Sequence, residues 1–177
     1  KENLYELEYR LFDEVRKKAA DNIDSIKQTA SAISSVDVLL SLAQVAAERN
    51  YKRPTLTRNS IISIKNGRHP VVEAILDVPF VPNDTILDAD DNRCAIITGP
   101  NMAGKSTYMR QVALITLMAQ MGSFIPADSA EIGLVDAIFT RVGASDDLST
   151  GQSTFMVEMN EVAEIINNAT KNSLLIL

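Results

Sequence analysis

The chain has 177 residues, 46% apolar and 23% charged, the balance of a globular protein that buries its core without disulfide staples. Its one cysteine, Cys94, excludes an internal disulfide and fits a reducing compartment. Net charge is −6 and unevenly placed: residues 1–55 carry nine side chains of each sign, residues 56–177 eight basic and fourteen acidic ones, so neither part has the locally basic surface that grips nucleic acid through phosphates.

Residues 2 to about 50 read as helix. Leu4, Leu7, Leu11 and Val15 recur at spacings of three and four, which puts them on one stripe of a 3.6-residue period. Glu6 with Arg10 and Glu14 with Lys18 form i,i+4 pairs of the favourable orientation. A second stripe runs through Ile23, Ile26, Ala30 and Ile33 to Val36, Leu39, Leu40 and Ala43. No Gly or Pro occurs before Pro54, so one long helix and two end-to-end helices both fit. No apolar run approaches the roughly 18 residues of a membrane helix, and no signal peptide is visible, so no membrane is expected. The chain starts at Lys1 and is expected to be a piece of something longer.

After Pro54 the texture changes. Short β-branched runs follow at Ile61–Ile64, Val71–Val72 and Cys94–Thr98, with Asn66–Gly67 as a turn between the first two. A helical pattern spans about Lys105 to Met121. Ala137–Val142 reads as a strand, Phe155–Ala169 as a helix, and Leu174–Leu177 as a parallel strand buried on both faces. Strands alternating with helices predict an α/β layer fold over residues 56–177, preceded by a helical segment over 1–55.

Gly99-Pro100-Asn101-Met102-Ala103-Gly104-Lys105-Ser106-Thr107 fits the phosphate-binding pattern G-x-x-x-x-G-K-[ST]. Such a loop curls so that successive N–H groups point at a phosphate, and a Cβ at its tight positions would obstruct that. Lys105 opens the next helix and can reach the β- and γ-phosphates, and the helix N-terminus adds partial positive charge. Ser106 offers its hydroxyl to Mg²⁺. Four such fixed positions recur by chance in about 1% of chains of this length, and a strand at 94–98 with a helix from 105 supplies the context the motif requires. A nucleoside triphosphate is the expected ligand. Asn101 either orients the attacking water or a γ-oxygen, or simply tolerates an unusual backbone conformation.

The stretch Thr98–Met109 resembles the nucleotide loop of the MutS DNA mismatch-repair ATPases. So do Phe139-Thr140-Arg141-Val142-Gly143-Ala144, Asp146-Asp147-Leu148 and Gly151-Gln152-Ser153-Thr154-Phe155-Met156-Val157-Glu158-Met159. Gly67-Arg68-His69-Pro70-Val71 and Pro79-Phe80-Val81-Pro82-Asn83 match ahead of the loop. The resemblance covers nearly the whole chain, and the motifs stand in the family's order.

It implies an ABC-type P-loop ATPase domain, represented by its amino-terminal part over 56–177, joined to the end of a helical lever over 1–55. It implies ATP and Mg²⁺ as cofactors, and a homodimer whose ATPase domains sandwich each nucleotide. Ser153 would then reach the γ-phosphate in trans from the partner, although by itself Ser153 or Thr154 also reads as an ordinary helix N-cap. Phe80 would stack on adenine, where the residues alone favour a core phenylalanine. Implied partners are mismatched duplex DNA, held through regions outside this chain, and a MutL-type repair protein. The implied setting is the bacterial cytoplasm near the nucleoid. A related ATPase acting in recombination or as a clamp, without mismatch reading, is the alternative.

The remaining candidates read as structural. One histidine, His69, cannot make a zinc site, so Arg68–His69 is expected to pack the front of the domain. Cys94 is expected in a buried strand as an inert small hydrophobe, and Asp146–Asp147 in a solvated loop. The family places an acidic pair just after a strand like Leu174–Leu177. Without it the chain is expected to bind nucleotide poorly and not hydrolyse it, because Glu158, Glu161 and Glu164 lie on the preceding helix.

Overall fold

A computed structural model describes residues 2–141 and 154–177, apart from the side chains of Glu2, Thr154, Phe155, Val157 and Glu158. It divides into two compact units, residues 1–44 and 45–177. The division precedes the 55/56 boundary read from Pro54, because the end of the helical region belongs to the second unit. Tyr51 N–H donates to the Ala46 carbonyl at 2.9 Å, Lys52 pairs with Ile125 through two 2.9 Å bonds, and Ala46 and Tyr51 are buried.

The first unit holds α1 (Glu2–Asp21) and most of α2 (Ile23–Glu48), so the two-helix alternative is the one adopted. Asn22 makes the break. Its side-chain amide donates to the Lys18 carbonyl at 2.9 Å, and its backbone N–H takes the Ala19 carbonyl at 3.2 Å, a tighter turn than the helix uses. The stripe Leu4, Leu7, Leu11 and Val15 is exposed. By length and composition α2 is apolar enough to cross a membrane, which the sequence reading did not expect. One such helix is weak evidence of a span, and Asp37 sits within its apolar stretch.

The second unit is mixed helix and sheet, consistent with an α/β fold. β1 (Thr55–Thr57), β2 (Ile61–Gly67), β3 (Asn83–Asp88) and β4 (Ser129–Gly133) form a sheet of order β1-β4-β2-β3. β1 and β4 are parallel, and β2 is antiparallel to both its neighbours. Ile62 and Ile64 of β2 and Ala130 and Ile132 of β4 alternate inward, the period-two pattern of a sheet with one buried face. Asn66–Gly67 is not a turn: Asn66 takes φ 49° inside β2, where the register with β3 shifts. Val71–Val72 is not a strand either. It lies in α3 (Pro70–Ile75), where Pro70 presets the first helical φ and His69 caps the start.

α4 (Lys105–Gln120) covers the sheet with Val112, Ile115 and Ala119 against Ile64 and Ile132, and its core continues to Leu174 and Ile176. It ends at Gly122, φ 87°, whose N–H takes the Ala119 carbonyl while Ser123 N–H takes that of Met118. The Gln120 amide pairs with the backbone of Val135 in both directions: Nε2 donates to the carbonyl at 3.0 Å and Oε1 accepts from the N–H at 2.6 Å.

Beyond it, β5 (Ile138–Thr140) pairs in parallel with β6 (Leu174–Ile176), with α5 (Thr154–Asn168) between them in the chain. Asp136 ties the two strand entries together, accepting from Ser173 Oγ at 2.7 Å and from the Thr170 hydroxyl, and these bonds hold its carboxyl below the usual range. β6 is parallel as expected but buried on one face only, since Leu175 is exposed between buried Leu174 and Ile176.

Candidate functional site: the phosphate loop and its supports

The loop 99–104 runs into α4 as its spacing requires. Gly104 is the N-cap with φ 84°, a left-handed conformation that glycine adopts without cost, and no side chain caps the helix. The first intrahelical bond runs from Tyr108 N–H to the Gly104 carbonyl at 2.9 Å. The N–H groups of the first turn therefore present the positive helix end that suits an anion. Met102, not Asn101, is the residue held at positive φ (62°), with its side chain fully exposed. Asn101 is exposed as well.

Lys105 is half-buried, and its ammonium donates to the carbonyls of Gly99 and Pro100 at 2.6 Å each. An ammonium has three donors, so this brace leaves one N–H for a phosphate oxygen. Ser106 is exposed in the first turn and fits as one oxygen ligand of Mg²⁺, a metal that takes its other ligands from water and phosphates. Among the described residues no cluster of His, Cys, Asp and Glu suits a metal.

Residues 94–98 depart from expectation. They are in no described strand, Cys94 is exposed, and Ile96 is 87% exposed. β-Branched composition favours a strand only where a neighbouring backbone completes the ladder, and no described strand pairs with this segment. Cys94 is thus an accessible thiol and not a core residue.

Phe80 is half-buried, ahead of β3. The residues at 142–153, including Ser153 and Asp146–Asp147, lie outside the described residues. Of the carboxylates considered, Glu161 and Glu164 are exposed on α5, and the Glu158 side chain is not described. A groove of about 440 Å³ runs along α4 past Leu114, Leu117, Val135 and Ile138. It includes no loop residue.

Arg68 and His69 are structural, as read. Arg68 Nε meets Glu73 Oε2 at 2.6 Å in a mostly buried pair, and its N–H bonds the Pro126 carbonyl at 2.8 Å. Tyr51 lies beside this pair, and burial together with the Glu73 carboxylate pushes its phenol up to about 12. His69 is 7% exposed, and its Nδ1 accepts from Val72 N–H at 3.2 Å. Burial holds its imidazole below the ordinary 6.5.

The unfolded chain therefore binds this proton more readily than the folded one. Stability is complete above pH 6.5 and falls as pH drops from there toward the lowered folded value. The urea midpoint should be lower at pH 5.5 than at pH 7.5, a range chosen to bracket roughly the histidine and not the carboxylates. His69→Asn, whose amide oxygen can replace Nδ1 as the capping acceptor, should lose that difference. Equal midpoints for the parent chain would show that His69 charges without cost.

Sequence reasoning assigned no role to Tyr108 or Gln111. The Tyr108 hydroxyl shares a 3.0 Å hydrogen bond with Thr85 Oγ1 and donates to the Asp84 carbonyl at 3.3 Å. Gln111 is fully buried beside Gly67, and neither of its amide atoms is hydrogen-bonded to a described residue. A hydroxyl-bearing ring one turn into a phosphate-loop helix was the available signal for Tyr108.

The family model described as MutS domain V matches residues 95–177. The chain is 66% identical over 176 residues to the DNA mismatch repair protein MutS of Halothermothrix orenii, which covers 99% of the chain and 20% of that protein. It is 64% identical over 177 residues to the MutS of Acetivibrio thermocellus, with 99% and 20% covered, and 63% identical over 172 residues to that of Alkaliphilus metalliredigens, with 97% and 20%. The chain spans about one fifth of the length of these relatives.

Proposed function

Because the chain is similar to bacterial DNA mismatch repair proteins MutS over nearly all of its residues, we propose that it is the ATP-binding part of such a protein. Residues 56–177 are read as the amino-terminal part of a P-loop ABC-type ATPase domain, and residues 1–55 as the end of the lever that carries its signal. The observation that carries this reading is the loop: a left-handed Gly104 at an uncapped helix start, with Lys105 braced across the loop's carbonyls.

In this reading Gly99 to Thr107 cradle the phosphates of ATP, Lys105 meets the β- and γ-oxygens, and Ser106 is the protein's ligand to Mg²⁺. Bound Mg²⁺ would neutralise phosphate charge. Asn101 orients a γ-oxygen or the attacking water, Phe80 stacks on the adenine, and Ser153 closes over the γ-phosphate of the partner's nucleotide. The assembly is a homodimer through the ATPase domains. It acts in the cytoplasm on mismatched duplex DNA together with a MutL-type protein, and ATP governs its passage from mismatch-bound to sliding states.

For a polypeptide of these 177 residues, saturable binding of a fluorescent ATP analogue with Mg²⁺ is expected, displaced by ATP, together with no steady phosphate release. Glu161 and Glu164 lie on α5, whereas β6 and Leu177 carry no side-chain carboxylate to handle the water's proton. Absence of saturable binding would refute the loop reading. Steady turnover would place a catalytic carboxylate within these residues.

A further inference from the structure

We propose that the Tyr108 hydroxyl is a positioning group that sets the separation between the base-holding segment 80–83 and the phosphate loop 99–107. By doing so it lets the site favour a whole nucleotide over its bare triphosphate. The proposal rests on the readings of Phe80 and of the loop given above.

Tyr108 is joined directly to the loop, since its N–H bonds the carbonyl of Gly104 at 2.9 Å. Its ring packs against the core, and its hydroxyl reaches β3 at Thr85, which is 5% exposed, and at the Asp84 carbonyl. If Tyr108 donates to Asp84, the Thr85 hydroxyl donates to Tyr108, so the phenol oxygen is used in both directions. The start of β3 is itself fixed: the Asp84 carboxylate accepts from Asn66 N–H at 2.8 Å and from Lys65 Nζ at 2.9 Å. Asn83 Nδ2 then donates back to the Val81 carbonyl at 3.0 Å, folding the residues that come after Phe80. Two hydrogen-bonded steps thus separate Gly104 from the segment carrying the ring.

The covalent route does not set this distance. From the end of β3 at Asp88 to the loop at Gly99 the chain passes through residues outside any described strand, mostly exposed. Nor does the sheet set it closely. The contact of α4 with the sheet centres on Ile115, about 15 Å along the helix from Lys105. Tyr108 is the tie close to the loop, and it joins two ends of one ligand. A triphosphate touches only the loop, so loss of the tie should be felt only by a ligand that also carries a base.

The test is a binding titration of the 177-residue chain with ATP and with inorganic tripolyphosphate, each with Mg²⁺. Tyr108→Phe removes one oxygen and keeps the ring, and Thr85→Val removes the partner hydroxyl at constant shape. Each is expected to weaken ATP about three- to tenfold and to leave tripolyphosphate within about twofold. In a Phe80→Ala background, Tyr108→Phe should add little, because two residues acting through one contact are not additive. Equal weakening of both ligands, or the same Tyr108→Phe effect with and without Phe80, would reduce Tyr108 to a general support and overturn the proposal. Should Phe80→Ala weaken ATP while Tyr108→Phe does nothing, the proposal alone fails. Should Phe80→Ala leave ATP binding intact, the base reading and the proposal fall together.

Discussion

Lys105→Ala should lose triphosphate affinity by about 10- to 100-fold while the urea midpoint stays within error of the parent chain. The loss comes from a charge-assisted contact to phosphate, worth about 1.5–3 kcal/mol when removed. It also comes from the loop: the same ammonium holds the Gly99 and Pro100 carbonyls, so its removal loosens the curl that aims the N–H groups. Stability should not change with it, because Lys105 is half-buried and is not part of the packed cluster around Ile64, Ile115 and Ile132. Titrating ATP into both forms beside their urea curves separates the two effects. Equal affinity would move triphosphate binding away from the loop.

Gly133→Ala should act in the opposite way, on the fold and not on the ligand. A Cβ there would stand 2.2 Å from the Asn59 carbonyl oxygen and 2.9 Å from both N and O of Ile61. All three are backbone atoms where the short link from β1 enters β2, and there Ile61 N–H bonds the Asn59 carbonyl at 2.9 Å. They cannot yield as a flexible side chain would, so the β4 edge or the link must shift. A cost of about 3 kcal/mol or more is expected, a large share of the roughly 5–15 kcal/mol that holds a domain together. Thermal unfolding should drop by about 10 °C or more. Gly122→Ala is the contrast. Nothing lies within 4 Å of its Cβ, but φ is 87°, so only backbone strain is added, about 1 kcal/mol. Similar losses at both positions would mean that the 57–61 link gives way easily.

How much of the molecule was legible in the sequence depended on the range of the forces involved. The long helices were readable because a 3.6-residue stripe repeats over many turns, as in α4 and α5. The loop was readable because its glycines and Lys105 are required at fixed spacing by one short segment. β1, β3 and β4 were not. β3 buries Thr85 but turns Asp84 and Ile86 outward, and β4 alternates Ala130 and Ile132 with Ser129 and Glu131 over only five residues. Such short patterns are outweighed by their polar members until neighbouring strands supply the ladder. The opposite error occurred at Val71–Val72 and at 94–98, where β-branched composition suggested strands. A proline and a capping histidine decided the first, and the lack of a paired neighbour decided the second. The tie from Tyr108 to Thr85 crosses 23 positions, so the sequence near Tyr108 does not name its partner.

The paired amide of Gln120 has a mechanical meaning when set beside that tie. Tyr108 and Gln120 are twelve residues apart on one helix, which places them about 18 Å apart along its axis and about 120° apart around it. One anchors the loop end of α4 to β3; the other anchors the far end to the strand connection at Val135. A rod pinned at two heights and two azimuths can neither roll about its own axis nor pivot on either pin without breaking hydrogen bonds. The two ends of α4 are therefore held at one separation and one rotation, from the loop at Gly104 to Val135, three residues before β5 begins.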